Sequence, residues 1–146
     1  MSDGQGLEPL LRVDEVNTYY GQIHILQDVN LHVGAGELVC LLGGNASGKS
    51  TTLKTILGIV TPRSGSVLFA GEDVTARSTS YRIGRGMAIV PENRRVFAPM
   101  SVLENLEMGA YQREKGTPEY REDLQRVFTL FPRLEERSSQ KAGTLS

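Results

Sequence analysis

Leu38-Val39-Cys40-Leu41-Leu42-Gly43-Gly44-Asn45-Ala46-Ser47-Gly48-Lys49-Ser50-Thr51 is the stretch on which the fold of this chain turns. Leu38 to Leu42 is apolar without alternation, as expected of a strand buried on both faces of a parallel sheet. Gly43 to Ser50 then match the phosphate-loop pattern, with both outer glycines, the lysine and the hydroxyl in place. A helix is predicted from about Lys49 to Leu57, with Leu53, Ile56 and Leu57 on one side and Gly58 ending it in a left-handed cap. In such a strand, loop and helix the backbone amides of Gly43, Gly44, Asn45, Ala46, Ser47 and Gly48 converge on a phosphate at the positive helix terminus. Lys49 would reach the outer phosphates, Ser50 would coordinate the Mg²⁺ that bridges them, and Thr51 can add a hydroxyl. Ala46 is the oddity, since an alanine held at positive φ costs about 1 kcal/mol relative to glycine.

Upstream, Leu11, Val13 and Val16 followed by Tyr19 and Tyr20 make an imperfect alternation, which suggests a half-buried strand. Val29, Leu31 and Val33 alternate with Asn30 and His32 up to the turn Gly34-Ala35-Gly36, so the two segments read as an antiparallel pair. Downstream, Thr61-Pro62-Arg63-Ser64-Gly65 reads as a turn and Val67 to Ala70 as a short strand. Met87 to Val90 is a second candidate buried strand, stopped by Pro91. Ser101 with Glu104 forms a capping box for a helix through about Ala110. Thr117-Pro118 opens the last helix, with Tyr120, Leu124, Val127, Phe128 and Phe131 spaced for one buried face. The class is α/β: an N-terminal antiparallel β subdomain and a parallel sheet core.

The chain has 146 residues, one domain's worth or less. Its 16 basic and 17 acidic side chains leave a net charge of -1, which gives no global attraction for nucleic acid or anionic lipid. The lone Cys40 rules out an internal disulfide and favours a reducing compartment. Residues 1–10 read as a polar leader without the basic start or apolar stretch of an export signal, so a cytoplasmic location is expected. Leu38 to Leu42, the longest clean apolar run, falls far short of the ~20 residues a membrane helix needs. His24 and His32 have no metal-ligand spacing.

The phosphate loop, together with Tyr20-Gly21, Gly36-Glu37, Val90-Pro91-Glu92-Asn93-Arg94-Arg95-Val96-Phe97, Val102-Leu103-Glu104-Asn105-Leu106 and Thr144-Leu145-Ser146, resembles the ATP-binding subunits of ABC transporters, especially those of branched-chain amino acid importers. The resemblance covers nearly everything from Leu11 onward. It implies a phosphate-loop NTPase-like fold, ATP and Mg²⁺ as cofactors, and adenine stacked on Tyr20, with Tyr19 as rival for that role. It places Glu92 where most of the family carries the Q-loop glutamine, so that Glu92 would meet Mg²⁺ through a water. The expected partners are transmembrane permease subunits and a second ATP-binding subunit, homo- or heterodimeric. The protein would then sit peripherally on the inner face of the plasma membrane. Arg77, Arg82, Arg85, Arg94 and Arg95 read either as a contact surface for a permease loop or as a solvated face.

Hydrolysis in this family also needs a strand ending in an Asp and a Glu, a Leu-Ser-Gly-Gly signature, a D-loop and a switch histidine. Asp14-Glu15 only superficially fits the first, because it precedes the phosphate loop and Arg12 interrupts its apolar run. Residues 11–146 thus resemble the N-terminal part of the domain, up to the start of the signature and incomplete C-terminally. Such a chain is expected to bind ATP without hydrolysing it alone. A non-catalytic regulatory module and a truncated remnant are the alternatives.

Overall fold

The computed structural model describes residues 8–92 and 95–145, which fall into two compact units, one ending at Ala88 and the other beginning at Ile89. The first is built on a four-stranded antiparallel sheet in the order β2-β1-β3-β4, formed by β1 (Leu11–Tyr20), β2 (Ile23–Val33), β3 (Ser64–Phe69) and β4 (Glu72–Asp73).

β1 explains its own imperfect alternation. Glu15 takes φ +47° and the pairing register with β2 slips between Val13 and Val16, so Val13, Val16 and Thr18 all reach the buried face. A residue inserted in one strand shifts the phase of everything beyond it. Asp28, at φ +46°, does the same in β2, which is why only Val29 to Val33 reads as a strand while the structure starts β2 at Ile23. The Asn17 side chain joins these two irregularities: its Nδ2 donates to the Glu15 carbonyl (2.9 Å) and the Asp28 carboxylate (2.8 Å), and its Oδ1 accepts the Asp28 backbone N–H (3.2 Å). Asp14 pairs with Arg12 at 2.8 Å, so Asp14 and Glu15 belong to this surface stitching.

The core of the unit is Val13, Val16, Leu26, Leu57, Val67, Val74 and Met87. Helix α1 (Lys49–Ile56) docks through Thr51, Thr52 and Thr55, followed by its C-cap Leu57, whereas Leu53 is 47% exposed. The expected Leu53 face is therefore corrected to a threonine face. The buried Thr18 hydroxyl needs a partner, and the Thr55 hydroxyl provides one at 3.2 Å. Gly58 ends the helix at φ +73°, as expected. Two further elements lack strong periodicity and escape sequence reading. The turn Ala70-Gly71, both at positive φ, leads into β4, and Ser78 caps α2 (Thr79–Gly84) by accepting the Tyr81 N–H at 3.2 Å.

The two segments expected to be buried parallel strands join no ladder among the described residues. Leu38 and Leu42 are each 90% exposed, and beyond Met87 the stretch to Val90 is exposed. A parallel strand is held through its edges, and β1 to β4 pair only among themselves.

In the second unit, α3 (Val102–Gly109) begins with the expected capping box. The Ser101 backbone N–H and then its hydroxyl hold the Glu104 carboxyl below its ordinary value. Thr117 caps α4 (Pro118–Leu130), which is followed by α5 (Pro132–Glu136). Tyr120, Leu124, Val127 and Phe128 share a half-buried face, but Phe131 lies beyond the helix, exposed, so the fully buried five-residue face is corrected. Residues 138–143 run back along 98–103, with the Ala142 N–H donating to the Met100 carbonyl at 2.8 Å and the Val102 N–H to the Gln140 carbonyl at 2.9 Å.

Candidate functional site

Gly43 to Thr51 lie in the first unit, where the loop enters α1. Gly48 is the N-cap, at φ +89°, and a Cβ there would come within 2.9 Å of the Leu26 side chain on β2. The backbone conformation favours glycine, and the Leu26 side chain would have to shift to admit a Cβ. The helix starts differently from α2, α3 and α4, whose first amides are answered by Ser78, Ser101 and Thr117. No side chain caps α1 and no acidic residue lies in its first turn, so its N–H groups and dipole suit an anion.

The Lys49 ammonium stands over the same loop, donating to the Gly43 carbonyl at 2.7 Å and the Gly44 carbonyl at 2.6 Å, with the Ser47 hydroxyl at 3.4 Å. Ser47 and Lys49 line a cleft of about 380 Å³ with Ile25, Leu26, Leu41 and Leu42. Ser50 and Thr51 follow on the first turn of α1, Ser50 exposed and Thr51 buried. Ala46 takes φ +63°, the conformation that favours glycine. Ala46→Gly is therefore expected to stabilise the chain by about 1 kcal/mol, read as a rise of a few degrees in Tm; an unchanged or lower Tm contradicts it.

The aromatic pair is sorted by its neighbours. Tyr19 is enclosed: His24 stacks on its ring at 4.1 Å and 6°, and the Arg63 guanidinium lies 3.9 Å from the ring centroid. Asn17 Oδ1 already accepts a backbone N–H, so His24 Nε2, 2.8 Å away, donates to it. Tyr20, at the end of β1, is 43% exposed.

Glu92 falls in the second unit, exposed and outside helix or strand, next to Asn93 and Arg94, which lie outside the described residues. The arginine run also divides. Arg77 and Arg85 approach the Glu72 carboxylate at 3.7 and 3.3 Å, whereas Arg82 is 1% exposed and belongs to neither a contact surface nor a solvated face. No signal in the sequence separates Arg82 from its neighbours, because its partners come from the end of α1 and from the segment after β4. Among the described residues no three His, Cys, Asp or Glu side chains stand together to hold a metal, and no helix is long and apolar enough to cross a membrane.

A glycine-rich loop opening an uncapped helix has the form of a phosphate-binding loop. The chain belongs to the ABC transporter family, which it matches over residues 26–146. It is 44% identical over 137 residues to the high-affinity branched-chain amino acid transport ATP-binding protein BraG of Pseudomonas aeruginosa, an alignment that takes in 94% of this chain and 58% of that one. Among solved structures, an ATP-binding subunit of an ABC transporter superposes with TM-score 0.81 at 33% identity, covering 94% of this chain and 56% of the other. A dimeric ATP-binding cassette in a post-hydrolysis state, bound to ADP and Pi, superposes with TM-score 0.75 at 25% identity over 93% of this chain and 63% of the other. The α/β class expected from the sequence is thereby met, and the chain spans little more than half the length of the curated relative.

Proposed function

We propose that residues 11–146 form the N-terminal part of an ABC-type nucleotide-binding domain, and that the intact subunit energises branched-chain amino acid uptake. The observation that carries this reading is the phosphate loop itself, an uncapped helix start with Lys49 poised over the Gly43 and Gly44 carbonyls. The 44% identity to a branched-chain amino acid transport protein supports the substrate class.

In this reading, the amides from Gly43 to Gly48 and the Lys49 ammonium bind the triphosphate, and Tyr20 offers its exposed ring to adenine. Tyr19 is excluded from that task because both its faces are occupied. The Ser50 hydroxyl would hold Mg²⁺, and Glu92 would be the Q-loop equivalent. That ion supplies charge neutralisation between the outer phosphates. The exposed apolar stretch Leu38 to Leu42 supports a parallel sheet completed by further strands, in keeping with the greater length of the relative. Permease subunits and a second ATP-binding subunit are the partners, and the inner face of the plasma membrane is the location.

The chain by itself is expected to bind MgATP and release no phosphate from it. Isothermal titration with MgATP and a steady-state phosphate-release assay test the two halves separately. Absence of any binding heat with folded protein overturns the nucleotide reading, and turnover that disappears with Lys49→Ala overturns the non-hydrolytic one.

A further inference from the structure

Among the described residues Arg82 is the largest fully buried side chain, and its guanidinium donates to four neutral main-chain carbonyls. Nη1 donates to the Thr55 carbonyl at 2.9 Å and the Ile56 carbonyl at 2.6 Å, Nη2 to the Thr75 carbonyl at 2.9 Å, and Nε to the Arg77 carbonyl at 3.1 Å. Among the described residues no carboxylate lies within ion-pair distance of it. Burial lowers the guanidinium below its ordinary value while the more distant Asp73 carboxylate opposes the shift. An arginine remains charged through such a shift, so a full positive charge is buried at this point.

Its placement is specific. Thr55 and Ile56 supply the last carbonyls of α1, the helix that Lys49 and Ser50 begin. They lie in the last turn, at the negative end of the helix dipole, where carbonyls lack i+4 partners within the helix; that of Thr55 also accepts the Gly58 N–H at 3.0 Å. α1 has only 8 residues, a length of about 12 Å, too short to hold its shape without outside contacts. Arg82 ties its far end to the segment after β4 through Thr75 and Arg77. The packing is close enough to require Gly58: a Cβ there would lie 2.8 Å from Arg82 Nε and 2.9 Å from Cζ.

We propose that Arg82 is a positioning residue for nucleotide binding, clamping the C-terminus of α1 so that the amides at its N-terminus, with Lys49 and Ser50, stay aligned on the phosphates. This rests on the nucleotide-binding reading above and adds a residue to it that touches no ligand. A short rigid helix transmits a tilt at one end to the other, and misplacement of phosphate donors by a fraction of an ångström is costly. A lysine carries the charge but, as a single ammonium on a flexible stem, cannot span four carbonyls held in a planar fork.

The test measures binding of a fluorescent ATP analogue with Mg²⁺ to the full chain, at a temperature where circular dichroism shows each protein folded. The proteins are wild type, Arg82→Met, Arg82→Lys and Val67→Ala, the last a core truncation on β3 that lowers stability without touching α1's cap. Expected are affinity losses of about tenfold for Arg82→Met and a smaller loss for Arg82→Lys, with Val67→Ala keeping wild-type affinity despite a lower Tm. If Arg82→Met does not fold, Arg82→Lys carries the comparison. Wild-type affinity in the folded Arg82 variants, or an equal loss in Val67→Ala, overturns the positioning role and leaves the nucleotide reading standing. No binding by the wild type overturns both.

Discussion

Lys49→Ala is expected to lower MgATP affinity by at least about 100-fold while leaving the ligand-free melting temperature close to wild type. In the proposed reading the ammonium would make charge-assisted contacts worth about 3 kcal/mol to a phosphate, which converts to that factor. In the ligand-free chain its partners are the loop's own Gly43 and Gly44 carbonyls, on an exposed segment where water replaces a lost donor. Affinity and stability should therefore separate. Titration calorimetry gives the first quantity, and a melt with and without MgATP gives the second. The thermal shift produced by nucleotide should vanish in the variant, whereas a wild-type isotherm would refute the assignment of Lys49.

Gly65→Ala is expected to have the largest effect on folding, a loss of about 3 kcal/mol or more. Gly65 lies on β3 at φ +86°, where that strand crosses the β1 irregularity. A Cβ would press on the Glu15 and Asp14 carbonyls, 2.5 Å from the Asp14 oxygen, and these are backbone atoms that cannot swing aside. β1 is the central support of the sheet, paired with β2 on one edge and β3 on the other. For a chain of this size the loss corresponds to a fall in Tm of about 10 °C. Thermal unfolding followed by circular dichroism reads it directly, and a Tm within a degree of wild type would show that β3 can move away at little cost.

These two residues differ in how far the linear string reveals them. Lys49 is legible because phosphate chemistry needs glycines, an ammonium and a hydroxyl at fixed spacing within one short segment. The same locality makes the Ser101 and Glu104 capping box readable, and the start of α4 at Thr117-Pro118. Gly65 looks like an ordinary turn glycine until β1 and β3 are laid side by side. Bulges at Glu15 and Asp28 hide the strand pattern for a related reason, since a phase slip is meaningful only against the partner strand.

Local chemistry along the chain is enough to reveal the glycine-rich loop, the helix it opens, the antiparallel start and the capped helices. All of these depend on residues a few positions apart. Tertiary structure alone decided that Thr55 rather than Leu53 faces the sheet, that Tyr19 is sandwiched and Tyr20 is not, and that Arg82 is withdrawn from its exposed neighbours. In each case the deciding partner is far away in sequence: Thr18 for Thr55, Arg63 for Tyr19, and the end of α1 for Arg82. A buried polar group must find its partner wherever the fold brings one, and no periodicity in the string records that meeting.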